Sequence, residues 1–326
     1  ARGGLVRALR YALFQVLQHA PPEDEAGTSS PSGLTGERDF GAGTWEFELF
    51  QYPLLLLLAP SMADSALRQR MSWLEKAREK ASAVGMPGAV FPCLADSDGT
   101  ECCADWSRAL ASLHPTGAVA WALWSTACAA GADSLPEPDA LELLADIGRM
   151  WLARATGDGK ARRAMLRGVS GPDGFHPCRD GDFLTTCLAR HNLRWLARIL
   201  CRNAPDRQQP NGTLESCPDV EALTTLAESL VSERDEESGA YLPFQGFLDL
   251  EVLQQEEAGF GVPEHLSSLD CLGRSQTIQQ SGVLVAHAMG LTKPSPEPDQ
   301  VLRDLEFSLS RLSPRVPAHI WHAAIL

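Results

Sequence analysis

Apolar positions along the chain recur with a helical period almost throughout. After Ser61, the residues Leu67, Met71, Leu74, Ala77 and Ala81 fall on one helical face, and Ser61 with Asp64 has the pattern of a capping box. Gly85 followed by Pro87 then ends that helix. The same period predicts helices at about 5–19, 48–58, 105–112, 116–131, 138–155, 181–202, 219–233, 275–290 and 298–310. Strand-like alternation is scarce, and Gly88 to Pro92 is its best short example. Many helices joined by Pro/Gly-rich loops predict an all-α domain, as a closed helical barrel or a solenoid. The chain carries no visible repeat of roughly 30–45 residues, which disfavours the solenoid.

Three loops are long: Pro21 to Gly43, Pro87 to Asp105 and Gly168 to Asp182. Loops of more than about a dozen residues in a compact domain usually carry function, and in a helical barrel they converge on one end. Cys201 to Asp219 reads as a connection. Its sequon, Asn211-Gly212-Thr213, is discounted because nothing else in the sequence indicates secretion.

Composition narrows the partners. The 326 residues are 44% hydrophobic and 21% charged, with a net charge of −14, as in an ordinary globular protein. That charge excludes nucleic acid as the main partner, since phosphate contacts need clustered Lys and Arg. The Lys160–Arg163 group reads as a solvated helix end. Nine cysteines, an odd number set mostly in apolar runs, are core residues rather than a disulfide framework, which points to a reducing, cytoplasmic setting. No Cys/His spacing matches a zinc site. The leucine-rich run from Tyr52 to Pro60 is far shorter than the roughly 20 residues of a membrane span. No signal peptide is visible behind Arg2 and Arg7, and the chain reads as one domain over residues 1–326.

Several segments, in collinear order, carry a resemblance. Gly33-Leu34-Thr35-Gly36-Glu37 is followed after seven residues by Trp45-Glu46-Phe47-Glu48. Gly88-Ala89-Val90-Phe91-Pro92 comes next, then His114 opening a helix through Trp124. Gly168-Val169-Ser170-Gly171-Pro172-Asp173-Gly174-Phe175-His176-Pro177 is the strongest, with Phe244-Gln245-Gly246-Phe247-Leu248-Asp249 after it. Weaker echoes fall at Gln279-Gln280-Ser281-Gly282 and Ser310-Arg311-Leu312-Ser313. Together they resemble the catalytic barrel of glycoside hydrolase family 65, the maltose, kojibiose and trehalose phosphorylases and related α-glucosidases. The family writes these motifs GLTGE, WDTE, GA-x-[FY]-P, GV-x-GPDEYHE, F-x-G-[YF]-x-D, KQAD and SSLS. The resemblance implies an (α/α)6 barrel without the family's N-terminal β-sandwich, incomplete or differently completed at its C-terminal end.

The departures bear on chemistry. Cleaving a glycosidic bond requires a protonated carboxyl group to protonate the leaving oxygen. The resemblance places that acid at the fourth residue of GPDE, which is Gly174 here. The next carboxylate of the motif falls on Pro177. Asp173 is adjacent, but neighbouring loop residues normally point apart. Sugar-gripping positions differ too. The Asp and Thr of WDTE become Glu46 and Phe47, a Trp-Glu becomes Cys93-Leu94, an Asp after His114 becomes Ala118, and the Lys of KQ becomes Gln279. Ala42 likewise stands where the family has a polar residue, while Gly33, Gly36, Trp45, Pro92, Gly171, Pro172 and Gly246 persist. Each unsatisfied hydroxyl in a closed pocket costs about 1–3 kcal/mol, so selectivity for sugar should fall by orders of magnitude.

The expectation is a repurposed barrel acting on a small molecule less polar than a sugar, by cyclisation, isomerisation or elimination, as in specialised metabolism. Glu46, Asp173 and His176 are the candidate acid/base groups. Trp45, Phe47, Glu48, Cys93, Leu94, His114, Gly174, Phe175, Gln279 and Gln280 are the candidate ligand contacts. No cofactor and no metal is expected, no nucleic acid and no membrane partner, and oligomerisation is left open. The competing readings are a non-catalytic binding scaffold and a residual α-glucoside hydrolase or phosphorylase. Locally, Asp173 and Asp180 can equally be caps of the following turn and helix, and His287 a satisfied core residue.

Overall fold

A computed structural model describes residues 2–19, 41–131, 139–158, 163–202, 217–252, 272–292 and 297–312. The GLTGE segment at 33–37, residues 39–40, the sequon at 211–213, and His319 and His322 lie outside the described residues. Helices dominate: α1 (Arg2–His19), a π-helical turn (Phe47–Gln51) leading into α2 (Tyr52–Leu58), α3 (Pro60–Ser72), α4 (Leu74–Ala83), α5 (Trp106–Ala111), α6 (His114–Ala129) and α7 (Ala140–Arg154). Then follow α8 (Phe183–Arg202), α9 (Val220–Ser229), a 3-10 turn (Phe247–Asp249), α10 (Gly282–Ala288) and α11 (Pro298–Leu309). Two antiparallel pairs complete it: β1 (Gly43–Thr44) on β2 (Leu94–Ala95), and β3 (Ala155–Asp158) on β4 (Arg163–Leu166).

The chain divides into two compact units. The first comprises residues 1–109, 115–150 and 195–220. Its core gathers Leu49, Tyr52, Leu55, Leu67, Trp73, Ala77, Ala81, Phe91, Val119 and Leu123. The long helix predicted after Ser61 is two helices, because the chain turns at Trp73, whose indole N–H donates to the Ser97 carbonyl at 3.1 Å. Nor does Ser61 cap it. Pro60 opens α3 one residue earlier, with its fixed φ suited to a first helical position, and Asp64 pairs with Arg68 instead. The Gly85 stop is as expected: φ is +67°, and the N–H groups of Gly85 and Met86 close on the carbonyls of Ser82 and Ala81 at 3.0 Å each. Ala89 to Pro92 is buried without a partner strand among the described residues, and pairing begins only at Leu94.

The second unit comprises residues 110–114, 151–194 and 221–326. Ala240, Leu242, Phe244, Phe247, Ile278 and Phe307 form one of its apolar clusters, with Phe244 and Phe247 edge-to-face at 5.2 Å. The helix expected over 275–290 is confined to Gly282–Ala288. Residues 275–281 are spent on other bonds: Ser275 bridges to Glu251, Ile278 to Leu312, and the Ser281 side chain caps the helix by accepting from Leu284 N–H at 3.3 Å. His287 is fully used, its Nε2 2.7 Å from Asp304 and its Nδ1 2.9 Å from the Thr292 hydroxyl.

Candidate functional site

In the first unit, β1 delivers Trp45 and the following turn carries Glu46, Phe47 and Glu48. Glu48 is buried and accepts a hydrogen bond from Arg70 Nε, an ion pair with both side chains almost wholly removed from water. The Arg70 guanidinium in turn lies 4.2 Å from the Trp73 ring centroid and 5.3 Å from that of Phe47. Gly43 leaves it room, since a Cβ there would stand 3.2 Å from Nη2. Trp45, Glu48, Arg70, Thr44, Phe91 and Pro92 line a small cavity of about 10 Å³, the size of one water molecule.

Phe47 and Ala118 do not line that cavity. Phe47 is 1% exposed, with its ring edge-on to Tyr52 at 6.2 Å, and Ala118 is fully buried. Glu46 is half-buried. Cys93 and Leu94 are held by their backbones: the carboxylate of Glu101 accepts their N–H groups at 2.7 and 3.1 Å and that of Cys103 at 3.0 Å. Lys80, also buried, donates to the same carboxylate at 2.7 Å and to the Phe91 carbonyl at 3.2 Å. Sequence reasoning missed Arg70, Lys80 and Glu101. A signal for Arg70 existed, because it continues the buried stripe of Ala63, Ala66 and Leu67 on α3.

In the second unit, the loop between β4 and α8 brings Asp173, Gly174, Phe175 and His176 together with Gln279. Asp173 Oδ1 accepts the N–H groups of Phe175 and Gln279 at 3.1 and 2.9 Å, and its Oδ2 lies 2.6 Å from His176 Nδ1. His176 Nε2 is 2.8 Å from the Ser275 carbonyl, and the ring packs on Phe244 at 5.0 Å. A carbonyl only accepts, so Nε2 carries its hydrogen, and a proton also lies between Nδ1 and Oδ2. Gly174 N–H donates to Gln279 Oε1 at 3.1 Å. Phe175 is half-buried, Gln280 is buried, and Pro177 is exposed. His114 is buried with Nδ1 3.0 Å from the Ser170 carbonyl.

Asp180 does not cap α8. Its carboxylate takes the Gly168 N–H at 2.7 Å, and the cap is Asp182, which accepts Thr185 N–H at 2.8 Å and the Thr185 hydroxyl at 2.6 Å. Burial pushes Asp182 up to about 6. Among the described residues, no group of three or more His, Cys, Asp and Glu side chains is placed to hold a metal ion, and no helix is long and apolar enough to cross a membrane.

The model of the glycosyl hydrolase family 65 central catalytic domain matches residues 10–315. An uncharacterised glycosyl hydrolase of Mycobacterium tuberculosis is 31% identical over 246 residues, 75% of this chain and 30% of that protein. The α,α-trehalose phosphorylase of Geobacillus stearothermophilus is 29% identical over 76% of this chain and 31% of its own length. The maltose phosphorylase of Bacillus subtilis is 25% identical over 86% of this chain and 37% of its own. The chain therefore spans about a third of the length of these relatives. Among solved structures, one from the human microbiome described as a kojibiose phosphorylase superposes with a TM-score of 0.80 at 24% identity, over 93% of this chain and 45% of the other. That likeness establishes the fold class, an all-α barrel of the (α/α) type.

Proposed function

The chain belongs to glycoside hydrolase family 65, and from that membership we propose that it is a helical-barrel protein that does not cleave glycosidic bonds and serves instead as a small-molecule binding scaffold. One observation carries the reading. In the loop where the family motif has its acid, residue 174 is glycine and the neighbouring carboxyl of Asp173 is committed to two backbone N–H groups and His176. A carboxyl so bonded is a structural brace rather than a proton donor aimed at a leaving oxygen. His176 is equally committed, with both ring nitrogens on protein oxygens.

The catalytic form of this reading is a barrel turned to cyclisation, isomerisation or elimination of a less polar molecule, with Glu46 as its acid/base group. The burial of Phe47 and Ala118 favours the scaffold form, because these apolar replacements pack in a core instead of facing a ligand. The names of the relatives make α-glucosides the discriminating ligands. A thermal-shift series with maltose, trehalose, kojibiose and glucose 1-phosphate at millimolar concentration is expected to leave the midpoint unchanged. A rise of several degrees with any of them would show a retained sugar site and overturn the expectation of a ligand less polar than a sugar.

A further inference from the structure

The second unit holds a hydroxyl, an imidazole and a carboxylate in series, none of them in the loop that carries position 174. α10 ends in a turn at Gly290, whose φ is +64°. The N–H groups of Gly290 and Leu291 close on the carbonyls of His287 and Ala286 at 3.0 and 2.9 Å. Leu291 is buried, and the turn returns Thr292 to the side of His287, where its hydroxyl lies 2.9 Å from Nδ1. Nε2 of the same ring is 2.7 Å from Oδ2 of Asp304 on α11. Asp304 is fully buried, and its Oδ1 accepts the Tyr241 N–H at 2.7 Å and the Gln300 side-chain amide at 2.9 Å. Those two donors fix the carboxylate, and a carboxylate only accepts, so His287 Nε2 carries a hydrogen. The neutral ring then presents a lone pair at Nδ1, to which the Thr292 hydroxyl donates. That is the direction in which a base takes a proton from a nucleophile.

We propose that Thr292, His287 and Asp304 form an acyl-transfer site that hydrolyses small carboxylic esters. Thr292 is the nucleophile, His287 the general base, and Asp304 the positioning residue that fixes the tautomer of the ring. The surroundings admit a substrate: Thr292 is half-buried, Gly290 is exposed, and a Cβ on Gly290 would meet no atom within 4 Å. Thr292 Oγ adds to the ester carbonyl carbon while its proton passes to Nδ1. The Thr292 N–H meets no acceptor among the described residues, which leaves it to the oxyanion that forms. The imidazolium, held at Nε2 by Asp304, returns the proton to the departing alkoxide, which leaves as the alcohol. Water then attacks the acyl-threonine by the same route and releases the carboxylic acid. The site is independent of the glycoside reading, because none of the three residues belongs to the 171–176 loop or lines the first unit's cavity.

The test gives the full chain p-nitrophenyl acetate and follows p-nitrophenolate release, with peptide mass spectrometry of the acid-quenched protein. Release above the protein-free rate is expected, with the acetyl group on Thr292. Thr292→Val should lower it by about a hundred-fold, and Thr292→Ser should retain it. Asp304→Asn, whose amide can donate to Nε2 and reverse the tautomer, should lower kcat and leave KM in place; an unchanged kcat would overturn its positioning role. Release unchanged in Thr292→Val would assign the reaction to surface nucleophiles and overturn the site, as would no release above background from the parent. If Thr292→Val fails to fold, the parent decides: acetyl on Thr292 in the native but not the urea-unfolded chain supports the site, and acetyl only elsewhere overturns it.

Discussion

The backbone of Gly171 passes directly beneath the carboxylate of Asp182, so close that a Cβ on residue 171 would stand 2.0 Å from Oδ2 and 2.4 Å from the carboxyl carbon. Glycine is required here for space, since this position is not among those with positive φ. Gly171→Ala is expected to displace the α8 cap and destabilise the protein by about 1–3 kcal/mol. Urea denaturation measures it. The change should also accelerate exchange of the Thr185 amide, which depends on that cap.

Glu48 and Asp64 provide a matched contrast between buried and exposed ion pairs. Removing Glu48 leaves the Arg70 guanidinium buried without its partner, so Glu48→Ala should cost about 3–5 kcal/mol. Asp64→Ala breaks the Arg68 pair, whose side chains are 47% and 50% exposed, and should cost less than about 1 kcal/mol. Equal losses in denaturant unfolding would mean that the Glu48 pair is not buried as described.

Tyr52 should titrate late. Burial pushes its phenol up to about 12, against the hydrogen bond it shares with the Thr126 hydroxyl at 2.5 Å, which works the other way. The neutral ring is what the folded core accepts. Stability is therefore undiminished by Tyr52 below pH 10, its ordinary value, and falls as pH rises from there toward 12. Alkaline absorbance titration should show a phenolate component delayed to that range, and Tyr52→Phe should remove it.

Cys187 should resist modification. Its thiol is 1% exposed and held protonated by burial, so it should stay unalkylated in the native chain near neutral pH. Exposed Cys201 gives the comparison. Peptide mass spectrometry after a short iodoacetamide pulse should find Cys201 labelled and Cys187 intact, and a labelled Cys187 would show that this part of α8 opens readily.

Most helices were legible because their apolar stripes repeat over two turns or more, as in Leu184, Leu188 and the rest of α8. The failures lie where non-local bonds outcompete local pattern. Residues 275–281 have helical periodicity, yet Ser275 and Ile278 bridge to Glu251 and Leu312. Asp180 sits at a cap-like position, yet the Gly168 N–H claims its carboxylate and passes the cap to Asp182. For the site, the family motifs pointed to Asp173, His176 and Gln279, which the structure brings together. They could not separate lining from core: Phe47 reads as a pocket residue but packs between Tyr52 and Arg70. Arg70 and Glu101, which hold the first unit's loops, look like surface charges until their partners are known.

The central claim is that a family 65 barrel with glycine at position 174 has lost acid-assisted cleavage. The direct test incubates the full chain with maltose, trehalose and kojibiose, with and without phosphate, and quantifies glucose and glucose 1-phosphate. No product above the protein-free background is the expected result. Release of either product, abolished by Asp173→Asn, would contradict the account by making Asp173 the acid.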